Sequence, residues 1–316
     1  MSYKILVTTR SFGSTSSKPW DVLNQAGCEI VKADPSQKMT EVRLIELLHG
    51  VDGAIIGVVP MTAHVMEHAS SLKVVSMHGV GVNHIDLAVA AQRGIVIANC
   101  PGTNDQSVAD LTIGLMISIA RDIPSGDKTM RGGGWGAHAG IELWKKTLGL
   151  VGLGRIGRGV AKRGLGFEMK ILAYDPYVQA ENLEEGVSMV DFDEVFKEAD
   201  FVSLHATLSE ETRHMIGAAQ LQAMKPTAYL INTSRGALVD EDALYAALIK
   251  KQIAGAALDV YSEEPPKDSP LLQLENLVVT PHIGAHTRES IERMGVMAAE
   301  NVLRTLQGGQ PHHRVA

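Results

Sequence analysis

The stretch Leu150-Val151-Gly152-Leu153-Gly154-Arg155-Ile156-Gly157-Arg158 constrains this chain more than any other. An apolar run, Thr147–Val151, leads into it, and the three glycines stand in a G-x-G-x-x-G spacing between a strand and a helix. The first glycine permits a tight turn, the second lets a phosphate approach the backbone, and the third lets the helix lie close on the strand. The helix N-terminus then faces the phosphate charge. Such turns also arise for purely structural reasons, so the flanks decide. A second apolar run, Lys170–Tyr174, ends in Asp175, about where an acid meets the ribose hydroxyls of a dinucleotide. A dinucleotide site at Gly152, Gly154, Gly157 and Asp175 follows. Asp175 favours NAD over NADP, because a carboxylate repels the extra 2′-phosphate.

Both halves of the chain alternate short apolar strands with helical stretches. Strands are expected at Lys4–Thr8, Glu29–Lys32, Gly53–Ile56, Leu72–Met77 and Ile95–Asn99, with helices near Pro19–Ala26, Thr40–His49, Thr62–Ala69 and Asp86–Arg93. A fresh series begins at Thr147–Val151 and continues through Lys170–Tyr174, Phe201–His205, Ala228–Asn232, Gly255–Val260 and Leu277–Thr280. That alternation predicts parallel sheets covered on both faces. The fold class is α/β, with two Rossmann-like or flavodoxin-like parallel-sheet domains separated by a cleft. The expected boundaries are 1–99 plus 287–316 for a substrate domain, and 100–286 for an NAD-binding domain. Ser107–Ala120 is too apolar for a linker and reads as a helix opened by Thr103-Asn104-Asp105. Glu289–Leu306 reads as a second helix, with Ile291, Met294, Val302 and Leu306 as its buried positions, crossing back onto the first domain.

Composition narrows the function classes. A net charge of -7 argues against general affinity for nucleic acid or anionic membrane. No apolar run approaches the ~20 residues of a membrane span, and the N-terminus reads as a strand rather than a signal peptide. Cys28 and Cys100 have no metal-ligand or redox spacing, so no metal is expected and both thiols are taken as reduced. A cytoplasmic location is the expectation.

Three residues past strands in the second half could do chemistry. Arg235 follows Ile231-Asn232-Thr233-Ser234, Glu264 follows Leu258-Asp259-Val260-Tyr261-Ser262-Glu263, and His282 follows Thr280-Pro281. Ligands bind at the carboxyl ends of strands in open parallel sheets, so the three can converge on one crevice. An arginine clamps a carboxylate and polarises a neighbouring carbonyl. A histidine gives or takes a hydroxyl proton, and a nearby glutamate favours its protonated form. Each alone has a plain structural explanation, as a surface salt-bridge partner, a loop or a cap. Their joint occurrence downstream of a dinucleotide turn argues for catalysis.

These motifs together resemble the D-isomer-specific 2-hydroxyacid dehydrogenases, and within them the phosphoglycerate dehydrogenase branch. The likeness rests on Gly152-Leu153-Gly154-Arg155-Ile156-Gly157, Tyr174-Asp175-Pro176, Asn232-Thr233-Ser234-Arg235-Gly236, Ala257-Leu258-Asp259-Val260, Glu263-Glu264-Pro265-Pro266 and Pro281-His282-Ile283-Gly284-Ala285. The resemblance implies Arg235, Glu264 and His282 as catalytic residues. It implies that Arg155, Ile156 and Asp175 hold the pyrophosphate and ribose, and that Ala206, Thr207, Thr233, Asp259, His282 and Ala285 line the rest of an NAD groove. His78-Gly79-Val80-Gly81 looks like the family's substrate loop, with backbone N–H groups binding the carboxylate of a 2-hydroxy or 2-oxo acid while Arg235 fixes the other end. A homodimer is implied as well, with Leu111–Arg131, Trp135 and Trp144 as a contact region.

The chain departs from that branch in informative places. The resembling phosphoglycerate dehydrogenases carry an arginine before the substrate loop and another after the third strand; this chain has Ser76-Met77-His78 and Ile56-Gly57-Val58 there. It also ends without the extra regulatory domain some of them carry. A small unphosphorylated substrate is therefore expected. His286, where the family often has serine, is read as a surface residue. Two rivals stand beside the dehydrogenase. A non-catalytic NAD-sensing protein would have no need of the trio, and a formate dehydrogenase would carry glutamine in place of Glu264.

Overall fold

The computed structural model describes residues 2–34, 36–136, 139–179 and 183–316. The chain divides into two compact units, Met1–Asn104 with Ala285–Ala316, and Asp105–Gly284. Among the described residues no helix is long and apolar enough to cross a membrane.

The first unit alternates strictly: β1 (Lys4–Val7), α1 (Lys18–Gln25), β2 (Glu29–Lys32), α2 (Glu41–Leu48), β3 (Gly53–Ile56), α3 (Ala63–His68), β4 (Val74–Met77), α4 (Leu87–Gln92) and β5 (Val96–Ala98). The second contains α5 (Asp105–Ala120), α6 (Ile123–Arg131), β6 (Thr147–Val151), α7 (Arg155–Gly166), β7 (Lys170–Tyr174), β8 (Val187–Met189), α8 (Phe192–Glu198), β9 (Phe201–Leu204), α9 (Ala218–Ala223), β10 (Tyr229–Asn232), α10 (Glu241–Ile249), β11 (Gly255–Leu258) and β12 (Leu277–Val279). The last helix, α11 (Arg288–Leu306), returns to the first unit.

In the first unit the strand order is β2-β1-β3-β4-β5, and every pairing is parallel. This is the flavodoxin-like order, 2-1-3-4-5. Because both faces are covered, β3 and β4 are buried at every position and carry almost no polar residue. One face packs on α2, α3 and α4 through Leu44, Leu48, Val65 and Met66. The other is covered by α1 and α11, which buries Ile291, Met294 and Val302 but leaves Leu306 partly exposed. Thr40, Thr62, Asp86 and Thr287 cap α2, α3, α4 and α11, each accepting a backbone N–H three residues on.

In the second unit the parallel sheet runs β12-β11-β10-β9-β6-β7-β8. Counted from β6, that is the Rossmann order 3-2-1-4-5-6 with one further strand. The order reverses between β6 and β9, so the loop after β6 lies at the switch point, where crevices form. One strand, β8, had no counterpart in the sequence reading. Its three residues, Val-Ser-Met, alternate too briefly to show a period.

The glycine turn after β6 is explained by contact. At Gly152 φ is +99°, and a side-chain carbon there would lie 2.6 Å from the His205 backbone. At Gly157 it would lie 2.2 Å from the Gly152 carbonyl oxygen. At Gly154 it would meet nothing within 4 Å. Gly152→Ala and Gly157→Ala are therefore expected to cost about 2–3 kcal/mol by overpacking. Gly154→Ala is expected to change stability by less than about 1 kcal/mol. Urea unfolding of the three variants checks this ranking.

Candidate active site

The glycine turn has the form of a phosphate cradle. Gly154 is the N-cap of α7 and stands in open space, so the backbone there can be approached closely. Arg155 opens the helix as an exposed cation, with Asp105 at 3.9 Å. Ile156 is partly buried behind it. Asp175 sits at the end of β7 and braces the turn: one carboxylate oxygen accepts the Leu153 N–H at 2.8 Å, the other the Tyr177 N–H at 2.9 Å. Beneath the turn His205 is partly buried, and its ring shares a 2.9 Å hydrogen bond with the Ser203 hydroxyl. Burial lowers its pKa to about 3, so it stays neutral and adds no cation under the phosphates. Ala206 is half-buried and Thr207 exposed past β9. Thr233 is buried, its hydroxyl bonded to that of Thr112 at 2.9 Å. The cradle, the helix terminus and the acid fit an NAD dinucleotide.

Strands β10, β11 and β12 are neighbours, and their carboxyl ends bring Arg235, Glu264 and His282 to one edge. Past β10, Asn232 shapes the turn. Its amide donates to the Arg235 carbonyl at 2.9 Å and its oxygen accepts the Ser234 N–H at 3.0 Å. The Ser234 hydroxyl donates to the Ala206 carbonyl at 2.7 Å, tying this turn to the one past β9. Gly236 allows the turn to touch the next: a side-chain carbon there would lie 1.9 Å from the Tyr261 backbone. Burial pushes the Arg235 guanidinium below its ordinary value, and the Glu264 charge opposes that.

Glu264 and His282 form the chemical pair. His282 Nδ1 lies 2.7 Å from one Glu264 carboxylate oxygen, and the other oxygen accepts the Tyr261 N–H at 3.1 Å. A carboxylate only accepts, so Nδ1 carries the proton and Nε2 faces outward for a ligand. Burial by itself would raise the Glu264 pKa. The hydrogen bond and charge of His282, the Tyr261 N–H and the Arg235 charge outweigh it, and the carboxyl lies below its ordinary 4.5.

His282 adopts a left-handed backbone, φ +52°, an uncommon conformation for a residue with a side chain that the surrounding contacts help to hold. Asp259 makes those contacts. Buried at 1% exposure, its carboxylate accepts the Thr280 hydroxyl at 2.6 Å, the Ile283 N–H at 2.8 Å and the Gly284 N–H at 2.8 Å. The loop is thus pinned on both sides of His282. Tyr261 adds a bond from its hydroxyl to the Thr280 carbonyl at 2.9 Å. Asn232, Ser234, Tyr261 and Thr280 received no role from the sequence. All four lie inside or beside motifs already singled out, so adjacency was the available signal.

In the first unit the segment after β4 carries the glycine loop. The Gly79 carbonyl accepts the Cys100 N–H at 2.8 Å, and the Val80 carbonyl accepts the Asn99 amide at 2.8 Å. The N–H groups of Val80 and Gly81 have no internal acceptor among the described residues. Free adjacent N–H groups make an anion site. His78 is buried instead of lining the loop surface, at 7% exposure, with Nδ1 3.3 Å from the Ser11 hydroxyl. Burial lowers its pKa to about 4. Ala285 is partly buried in this unit's core, and His286 is exposed.

A Rossmann-order sheet with this glycine turn and Asp175 has the form of a dinucleotide-binding scaffold. Residues 113–284 match the family model described as the D-isomer specific 2-hydroxyacid dehydrogenase NAD binding domain. The chain is 44% identical over 285 residues to a D-3-phosphoglycerate dehydrogenase of Methanocaldococcus jannaschii, covering 89% of this chain and 54% of that protein. It is 42% identical over 295 residues to a glyoxylate reductase of Korarchaeum cryptofilum, covering 90% and 87%. The crystal structure of the TT0316 protein of Thermus thermophilus superposes with a TM-score of 0.91 at 39% identity, covering 99% and 100%. The chain belongs to the D-isomer specific 2-hydroxyacid dehydrogenase family, and its NAD-binding domain lies in the second unit. It spans about half the length of the phosphoglycerate dehydrogenases among the first of these relatives.

Asp259→Asn replaces two acceptor oxygens with one and turns an amide toward N–H donors. The variant is expected to lose about 2 kcal/mol of stability, read by urea unfolding.

Proposed function

We propose that this protein is an NAD-dependent oxidoreductase that interconverts a small D-2-hydroxy acid and its 2-oxo acid. The observation that carries the reading is the 2.7 Å pairing of His282 with Glu264 at the strand ends next to Arg235. NAD, when bound, supplies or accepts the hydride. In the first unit the N–H groups of Val80 and Gly81 are assigned to the substrate carboxylate, and in the second unit Arg235 is assigned to the substrate carbonyl. His282 Nε2 donates a proton to the substrate oxygen during reduction and takes one back during oxidation. Glu264 stabilises the cationic imidazole and fixes its orientation, while Arg235 stabilises the negative charge that develops on the oxygen. Arg155, Ile156, Asp175, Ala206, Thr207, Thr233 and Asp259 are assigned to the cofactor, and residues 1–99 with 287–316 to the substrate domain.

A small unphosphorylated substrate is supported by two positions. Met77 is buried at 5% exposure, and Gly57 has no side chain, so neither offers a cation to a phosphate. The second reading is a phosphoglycerate dehydrogenase, favoured by the 44% identity to a relative of that name. We further assign a homodimer in the cytoplasm. The second copy is supported by the exposed Ile123, Met130, Trp135 and Trp144 along and beyond α6.

NADH oxidation with pyruvate, hydroxypyruvate, glyoxylate, phenylpyruvate and phosphohydroxypyruvate tests the reading. Turnover is expected to be most efficient with a small unphosphorylated member. Highest kcat/KM with the phosphorylated one would favour the second reading, and tight NADH binding with no turnover would make the protein a sensor. His282→Ala is expected to lower kcat about 10²- to 10⁴-fold.

A further inference from the structure

Helix α3 carries a pair of histidines that the reaction does not use. His64 and His68 stand four residues apart in His64-Val65-Met66-Glu67-His68, so both project from one face. Both are exposed, and their ring centroids lie 4.5 Å apart at an interplanar angle of 62°. The intervening Val65 and Met66 are fully buried, and Thr62 caps the helix through the Val65 N–H, so the platform beneath the pair is fixed.

The hydrogen bonding favours metal ligation. His68 Nδ1 lies 2.8 Å from the His64 carbonyl oxygen. A carbonyl only accepts, so that nitrogen carries the proton and Nε2 presents a lone pair to solvent. This is how a metal-binding imidazole is commonly held, its second nitrogen donating to a carbonyl or carboxylate. Among the described residues the His64 ring has no hydrogen-bond partner, so its nitrogens can turn toward the same point. The rings pack edge to face with centres 4.5 Å apart, a span that one ion can bridge at the usual ~2.0–2.1 Å metal–nitrogen distance once the His64 ring turns a nitrogen toward the His68 Nε2 side.

We propose that His64 and His68 form a surface site for a divalent transition metal that prefers imidazole, such as Ni²⁺, Cu²⁺ or Zn²⁺. Among the described residues no group of three or more His, Cys, Asp or Glu side chains could hold a metal. Two imidazoles are therefore what the described residues of one chain contribute, and water or a second copy completes the coordination. The pair belongs to the first unit and Arg235, Glu264 and His282 to the second, and binding at the pair does not depend on the proposed reaction.

Isothermal titration with Ni²⁺ on the full chain, without an affinity tag, tests the proposal against three variants. His312 pairs with Glu300 at 2.8 Å elsewhere on the surface, so His312→Asn is the control. The wild type and H312N are expected to bind one equivalent. H64N and H68N are each expected to weaken that binding by more than about tenfold, since losing even an outer partner of a ligand costs about 10- to 100-fold. Circular dichroism that matches the wild type would show the variants folded. No binding by the wild type, or full binding by folded H64N, would overturn the proposal.

Discussion

An all-parallel sheet delivers the carboxyl end of every strand to the same edge, and the site of this protein depends on that constraint. Arg235, Glu264 and His282 are far apart in sequence, yet β10, β11 and β12 are neighbours in one sheet. Close backbone packing then brings the turns together. Gly236 lies against the Tyr261 backbone, the Ser234 hydroxyl reaches the Ala206 carbonyl, and Asp259 gathers Thr280, Ile283 and Gly284. The chemistry sits on loops, but the loops are anchored to rigid strand ends.

The electrostatics of the second unit are divided by function. His205 is held neutral beneath the phosphate cradle by burial alone. Glu264 is held charged despite burial, because His282, the Tyr261 N–H and Arg235 together outweigh desolvation. A half-buried carboxylate next to an imidazole and a guanidinium is a stable arrangement for moving one proton. Asp259 is spent on three hydrogen bonds that pin the loop in which His282 takes its left-handed backbone.

Much of this was legible in the sequence because its causes are local. The glycine spacing marked the turn, the apolar runs marked the strands, and three expected helices began at Thr40, Thr62 and Asp86, the residues that cap α2, α3 and α4. What escaped notice is cooperative. The three residues of β8 carry no readable period and are strand only because β7 pairs with them. The role of Asn232 requires seeing its amide meet the Arg235 carbonyl three residues on. The burial of His78 depends on Phe12 and Ser11, which come from the loop after β1. Nothing in its own segment distinguishes a buried imidazole from an exposed one.

The central claim is that the Glu264–His282 pair moves the proton of the proposed reaction. Glu264 is held charged, because the His282 hydrogen bond and charge, the Tyr261 N–H and Arg235 outweigh its desolvation. The most direct measurement is kcat for 2-oxo acid reduction in the wild type and in Glu264→Gln, with NADH affinity measured on both. With the carboxylate neutralised, kcat is expected to fall more than about tenfold while NADH binds as before. Equal kcat in both proteins would contradict the account.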